Sequence, residues 1–141
     1  MEPMHQIRIA TACFVNDRNE LLVVRKRNTT RWMLPGGKLD GDESAVEAVR
    51  RELKEELQLD VPAAALTPLG RFEEMAANEP DTRVRAEVFV AQVPEGQVPR
   101  PAAEIAEMQW LPMQPPAPPG VAPLLAGHIL PALRRRHGEA G

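Results

Sequence analysis

Three glutamates in one short run, Glu52, Glu55 and Glu56 of RRELKEELQL, are the first residues whose type and spacing suggest chemistry. At about 100° per residue on a helix, they fall on one face within an arc of roughly 100°. Like charges three and four residues apart repel by roughly 0.2–0.5 kcal/mol per pair, and anions in the second half of a helix oppose its macrodipole. Helix propensity does not account for such a stripe. A hard divalent cation does, because Mg²⁺ or Mn²⁺ takes carboxylate oxygens and would neutralise the cluster. The surroundings fit the same idea. Ala45 and Ala48 lie near the carboxylate face one to two turns earlier, leaving room for a ligand. Arg51 stands one turn after Glu47 and one turn before Glu55, within reach of both. Gly36 and Gly37 lie ahead of the helix, where a bare backbone could approach a metal or phosphate closely. The competing reading is a solvated acidic helix face behind a turn, and the glycine loop at this spacing counts against it.

The elements that must position these residues are legible in outline. Ser44 with Glu47 three residues on matches a capping box, and Val46, Val49, Leu53 and Leu57 recur at helical spacing, which predicts a helix from Ser44 to about Leu57. Pro35-Gly36-Gly37 predicts a tight loop after Trp32-Met33-Leu34. Upstream, Gln6 to Val15 alternates as a strand, Asn16-Asp17-Arg18-Asn19 supplies turn chemistry, and Leu21 to Val24 is a second apolar run, together a β-hairpin. Downstream, Leu66 to Glu74 and Val84 to Val93 are two more strands, with Glu79-Pro80-Asp81 in the loop between them. Ten of the 15 prolines follow residue 93, so an extended connection is expected over about 112–123. A short amphipathic helix from Leu124 to Arg136 follows, with Pro131 as its blemish. Its three closing arginines read as a solvated end that complements the helix dipole.

Composition bounds the answer. At 141 residues the chain makes one domain over 1–141, and 43% hydrophobic against 26% charged residues allows an ordinary core. A net charge of -3 argues against nucleic acid or an anionic membrane as the main partner. That mild total conceals eight acids against three bases from Asp40 to Asp60, set on a slightly basic remainder. Cys13 is the only cysteine, which excludes a disulfide framework and a cysteine zinc site and suits a reducing compartment. Its place in an alternating segment makes it a buried strand thiol rather than a nucleophile. With no apolar leader and no run of about 18 apolar residues, a cytoplasmic location is expected. His5, His128 and His137 are isolated, and no role is read for them.

The stretch from Gly37 to Leu59 resembles the signature of the Nudix hydrolases, G-x5-E-x7-R-E-U-x-E-E-x-G-U with U a bulky aliphatic residue. Gly37, Glu43, Arg51-Glu52, Leu53, Glu55-Glu56 and Leu59 match it, while Gln58 stands where the family has glycine, a departure at the helix exit. The N-terminal strands, the Arg25-Lys26-Arg27 segment, Trp32 to Gly37 and the late Glu104-x-x-Glu107-x-x-Trp110-Leu111 are also similar to small members of the family. The resemblance implies an α/β fold, an α/β/α sandwich around a mixed β-sheet. It also implies Mg²⁺-dependent cleavage of a diphosphate linkage in a nucleoside triphosphate or nucleoside diphosphate derivative, by water attack on phosphorus.

Carried over by position, Glu52 and Glu56 would be the principal metal ligands. Glu55 would be a third or water-mediated ligand, the Gly36 carbonyl would complete the sphere, and Arg51 would orient its neighbours. Glu104, read as lying in a loop with Glu107, is the choice for the additional late glutamate of small family members. For the nucleotide substrate, Arg25, Arg27 and Lys38 could bind phosphate oxygens, Arg25 and Arg27 facing one way and Lys26 the other. Trp32 could stack on a base, since the chain has five aromatic residues and no tyrosine. A homodimer is a common assembly in the family. The alternative from another class is a nucleotide-sensing module that binds without hydrolysis. Isoprenoid diphosphate isomerase chemistry shares the fold but needs a catalytic cysteine, for which Cys13 is poorly placed.

Overall fold

Alternation along β1 (His5–Phe14) sends Ala10, Ala12 and Phe14 into one apolar cluster and Cys13, with Ile9 at its margin, into another on the opposite face. The strand is therefore sandwiched, and everything else is arranged on its two sides. The computed structural model describes residues 5–75, 81–114 and 120–140, with side chains to residue 136. β1 pairs in parallel with β5 (Thr82–Ala91) and antiparallel with the short β3 (Gly36–Lys38); β4 (Thr67–Met75) completes a mixed sheet of order β3-β1-β5-β4. β2 (Glu20–Lys26) and β6 (Ile105–Pro112) form a second, antiparallel pair.

Helix α1 (Ala45–Leu57) covers the first cluster with Val49, Leu53 and Leu57. Its start is the expected capping box: the Glu47 N–H donates to the Ser44 hydroxyl at 3.1 Å and the Ser44 N–H to the Glu47 carboxylate at 3.0 Å. The second cluster is covered by a π-helical turn, Leu125–Ile129, running into α2 (Leu130–Ala140), through Leu125, Ile129, Leu130 and Leu133. The π turn explains how Pro131 is tolerated. The chain is already on a wider register there, with the Leu130 N–H donating to the Leu125 carbonyl. Helices thus lie on two sides of a mixed sheet, the α/β arrangement expected. Among the described residues, no helix is long and apolar enough to cross a membrane.

Several local expectations change. The Asn16–Glu20 turn forms, with the Asn16 side-chain oxygen accepting from the Arg18 and Glu20 N–H groups, but the hairpin ladder stops after one bridge, Val15 to Leu21. Leu21 to Val24 are all fully buried, so β2 is covered on both faces and takes its partner from the far end of the chain. The glycine loop is instead a strand, because Gly36 and Gly37 pair with Thr11 and Ala10. Glu107 is not in a loop either. It lies in β6 opposite Arg25, in a strand whose interspersed polar residues mask its period. Ala45 and Ala48 point into the core rather than beside a ligand. The helix exit keeps its left-handed turn without glycine: Gln58 adopts φ 57° and its N–H closes onto the Leu53 and Lys54 carbonyls. The proline-rich connection starts after Pro112, and its residues 115–119 lie outside the described residues, as do Glu79 and Pro80.

Candidate active site

Strand β3 is laid across the acidic face of α1, and each of its residues meets one member of that face. The Gly36 N–H donates to Glu56 Oε1 at 2.9 Å, Gly37 lies against the Glu52 carboxylate, and the Lys38 carbonyl accepts from Arg51 Nη2 at 3.1 Å. Contact demands a glycine at 36 and favours one at 37. A Cβ on Gly37 would fall 2.6 Å from the Glu52 carboxyl carbon, and one on Gly36, where φ is +143°, would fall 2.1 Å from the Ala10 carbonyl oxygen.

Arg51 organises the acids. Its guanidinium donates to both Glu43 oxygens at 2.8 and 2.9 Å and to Glu52 Oε1 at 2.8 Å, with Glu55 and Asp40 each 3.6 Å away. The Arg51 bonds, aided by the Asp40 N–H, hold the Glu43 carboxyl down at about 2, and these partners in turn raise the proton affinity of Arg51. Glu43's share of stability is therefore present above pH 4.5 and lost as the pH falls toward 2. Glu47, expected on Arg51, is instead consumed by the helix cap. A lysine keeps the charge of Arg51 but not its planar fork. Arg51→Lys is expected to cost about 1–2 kcal/mol of unfolding free energy in urea; an unchanged midpoint would show the acids need no such clasp.

Glu56 differs from the other acids. It is only 3% exposed, and burial, opposed by the Gly36 N–H and by Lys26 and reinforced by the charges of Glu52 and Glu104, pushes its carboxyl up to about 7. Glu104 occupies the turn before β6, and this turn is tied to its surroundings by two backbone bonds: the Arg27 N–H to the Glu104 carbonyl and the Ala102 N–H to the Glu56 carbonyl, each 2.8 Å. Glu52, Glu56 and Glu104 are thus carboxylate oxygen donors near one another, a set that suits a hard divalent cation. Among the described residues, no three acidic, histidine or cysteine side chains are gathered closely enough to hold an ion unaided. One oxygen of Glu52 faces Arg51 and one of Glu56 faces Gly36. One or two carboxylates with the remaining positions left to water and phosphate is the usual habit of Mg²⁺.

Beside this cluster opens a cleft of about 520 Å³, with Lys26, Gly36, Gly37 and Lys38 at one end and Ile7, Ile9, Val84, Leu124 and Ile129 among its apolar walls. Lysines and glycines next to the buried Glu56, with walls that are apolar in large part, are a form suited to a phosphorylated organic molecule.

A NUDIX domain model matches residues 6–132. The chain belongs to the Nudix family. It is 29% identical over 97 residues to a putative 8-oxo-dGTP diphosphatase of Bacillus subtilis strain 168, covering 69% of this chain and 60% of that protein. It is 31% identical over 109 residues to a MutT-like protein of Streptomyces ambofaciens, covering 77% and 65%. The chain thus spans somewhat under two thirds of these curated relatives. The crystal structure of a MutT NUDIX hydrolase from Burkholderia pseudomallei superposes with a TM-score of 0.70 at 25% identity, covering 92% of this chain and 97% of that one.

Within the Nudix frame, the structure brings Gly36, Arg51, Glu52 and Glu56 together, with Glu104 close enough for its charge to act on Glu56. Glu55 stands at the rim, its side chain 54% exposed. Lys38 lines the cleft, and Arg27 is exposed next in sequence to the cleft-lining Lys26. Arg25 is engaged elsewhere, paired with Glu107 and donating to the Thr29 carbonyl. Trp32 does not line the cleft. It packs against the second core cluster and its N–H bonds the Gly120 carbonyl. The basic residues overlooked in the sequence are Lys26 and Arg31, both of which line the cleft. The signal for Lys26 was its parity, because it shares the face of Leu22 and Val24, which pack under α1.

Proposed function

We propose that residues 1–141 are one hydrolase domain that cleaves a diphosphate linkage in a nucleoside triphosphate or nucleoside diphosphate derivative, with Mg²⁺ or Mn²⁺ held by one or two of Glu52, Glu56 and Glu104 together with water and substrate phosphate. The observation that carries this reading is the buried Glu56, bonded by the Gly36 N–H at 2.9 Å where glycines of the cleft lining meet the acidic face of the helix. The cation, when bound, polarises a phosphoryl oxygen and acidifies water. The chain's own groups supply the rest. A carboxylate of the cluster that does not bind the cation can accept the proton of the attacking water. Arg51 fixes the rotamer of Glu52, Lys26 and Lys38 offer positive charge to phosphate oxygens, and Gly36 and Gly37 put no side chain in the way. Water adds to phosphorus, the P–O–P bond breaks, and the leaving phosphate departs with the bridging oxygen.

The putative 8-oxo-dGTP diphosphatase among its relatives favours a nucleoside triphosphate as substrate. The test is a panel of nucleoside triphosphates and nucleoside diphosphate derivatives incubated with Mg²⁺, with products separated as nucleoside monophosphate, pyrophosphate and phosphate. A monophosphate formed with Mg²⁺ and lost on chelation is expected. Tight binding of one nucleotide with turnover of none would instead identify a sensor.

A further inference from the structure

Thr11 is the one polar side chain of the β1 wall of the cleft, between Ile9 on the same face and the buried Cys13. It is 5% exposed, and among the described residues its hydroxyl has no hydrogen-bond partner. Buried hydroxyls are normally paired, and one left alone is destabilising. Nothing in the sheet removes that cost. Its neighbours across β1 are Gly36, which brings no side chain, and Val88, which brings an apolar one. A valine would fill the same volume without penalty, so the hydroxyl is a cost the fold carries in a wall that faces a ligand cavity. Thr11 also stands directly opposite Gly36, whose N–H holds Glu56, where the phosphate end of the cleft gives way to its apolar part. Among the described residues the cleft lining contains no aromatic ring, so stacking on tyrosine, tryptophan or phenylalanine does not supply recognition there.

We propose that Thr11 is a specificity-determining contact whose hydroxyl pairs with the polar edge of a nucleobase lying against the aliphatic wall of the cleft. This deepens the nucleotide reading above and rests on it. A site with a buried hydroxyl awaiting a partner rejects molecules that cannot provide one, because the hydroxyl then stays unpaired.

Wild type, Thr11→Val and Thr11→Ser are compared by calorimetric binding of AMP, GMP, CMP, UMP and, as the base-free control, ribose 5-phosphate. Thr11→Val is expected to weaken the preferred monophosphate about tenfold and leave ribose 5-phosphate unaltered, while its melting temperature holds or rises. Thr11→Ser is expected to restore binding. A merely structural threonine would not move affinity and stability in opposite directions. Equal affinities of Thr11→Val and wild type for every monophosphate would overturn the proposal, as would a wild type that binds no monophosphate more tightly than ribose 5-phosphate. Hydrolysis of the corresponding triphosphates separates the two readings. Thr11-dependent binding without turnover removes the hydrolase and keeps the contact, whereas turnover with base preference unchanged in Thr11→Val keeps the hydrolase and removes the contact.

Discussion

Glu56→Gln is expected to lower nucleotide turnover by roughly 10³–10⁴-fold while the protein remains folded. Glutamine keeps the side-chain carbonyl that accepts from the Gly36 N–H at 2.9 Å, so the strand stays on the helix. What is lost is the negative charge and the ability to take up a proton near neutrality. The same substitution has a signature in stability. Burial raises the Glu56 carboxyl from 4.5 to about 7, so the folded chain holds a proton that the unfolded chain releases. Its contribution is fully present below pH 4.5 and is lost as the pH rises through 7. Wild type should therefore lose up to about 3 kcal/mol across that interval from this group, and Glu56→Gln should show a flatter profile and greater stability at pH 8. Urea titrations of both proteins at pH 5 and pH 8, with steady-state turnover at pH 8, check both halves. Turnover within tenfold of wild type would remove Glu56 from the reaction. A parallel pH dependence in the two proteins would show that its burial is not what titrates.

Gly36→Ala is expected to be the most damaging glycine-to-alanine change among the described residues. The added carbon would meet the Ala10 carbonyl oxygen at 2.1 Å and Thr11 Cα at 2.7 Å, both backbone atoms of the neighbouring strand, at a φ of +143°. Neither the clash nor the dihedral can be relieved by turning a side chain. β1 and β3 must part, which withdraws the N–H from Glu56, and a cost of about 3 kcal/mol or more is expected. Gly37→Ala is the informative contrast. Its carbon meets only the flexible end of Glu52, so it should displace that carboxylate and reduce turnover with a much smaller change in stability. Chemical denaturation midpoints and turnover for the pair decide the matter. Equal stability losses would mean the Glu52 contact is as rigid as the backbone contact.

The parts of this protein legible without coordinates were those written locally. Helix α1 is one, because its cap, its apolar period and its acidic stripe are all contained within 14 consecutive residues, Ser44 to Leu57. The sharing of one helix face by Glu52 and Glu56 is another, since i, i+4 spacing places them side by side. Non-local pairings were harder to read. The turn after β1 has hairpin chemistry, yet β1 and β2 separate into different sheets because both are buried on two faces and their partners come from as far as residue 112. Glu104 and Glu107 look alike in a polar segment. The strand begins between them, which leaves Glu104 beside Glu56 and sends Glu107 to Arg25.

Read alone, the sequence marks out a capped helix with carboxylates on one face, an arginine among them, and glycines ahead of it. Only the tertiary structure decided how those residues differ. Laying β3 across α1 buried Glu56 and left Glu55 at the rim, gave Glu52 to Arg51, and turned the glycines from a loop into the one strand that fits so close to the acids. The physical reason is that spacing fixes which side chains share a helix face, whereas proton affinity depends on which of them is shut away from water, and a strand some 20 residues back in the chain settles that.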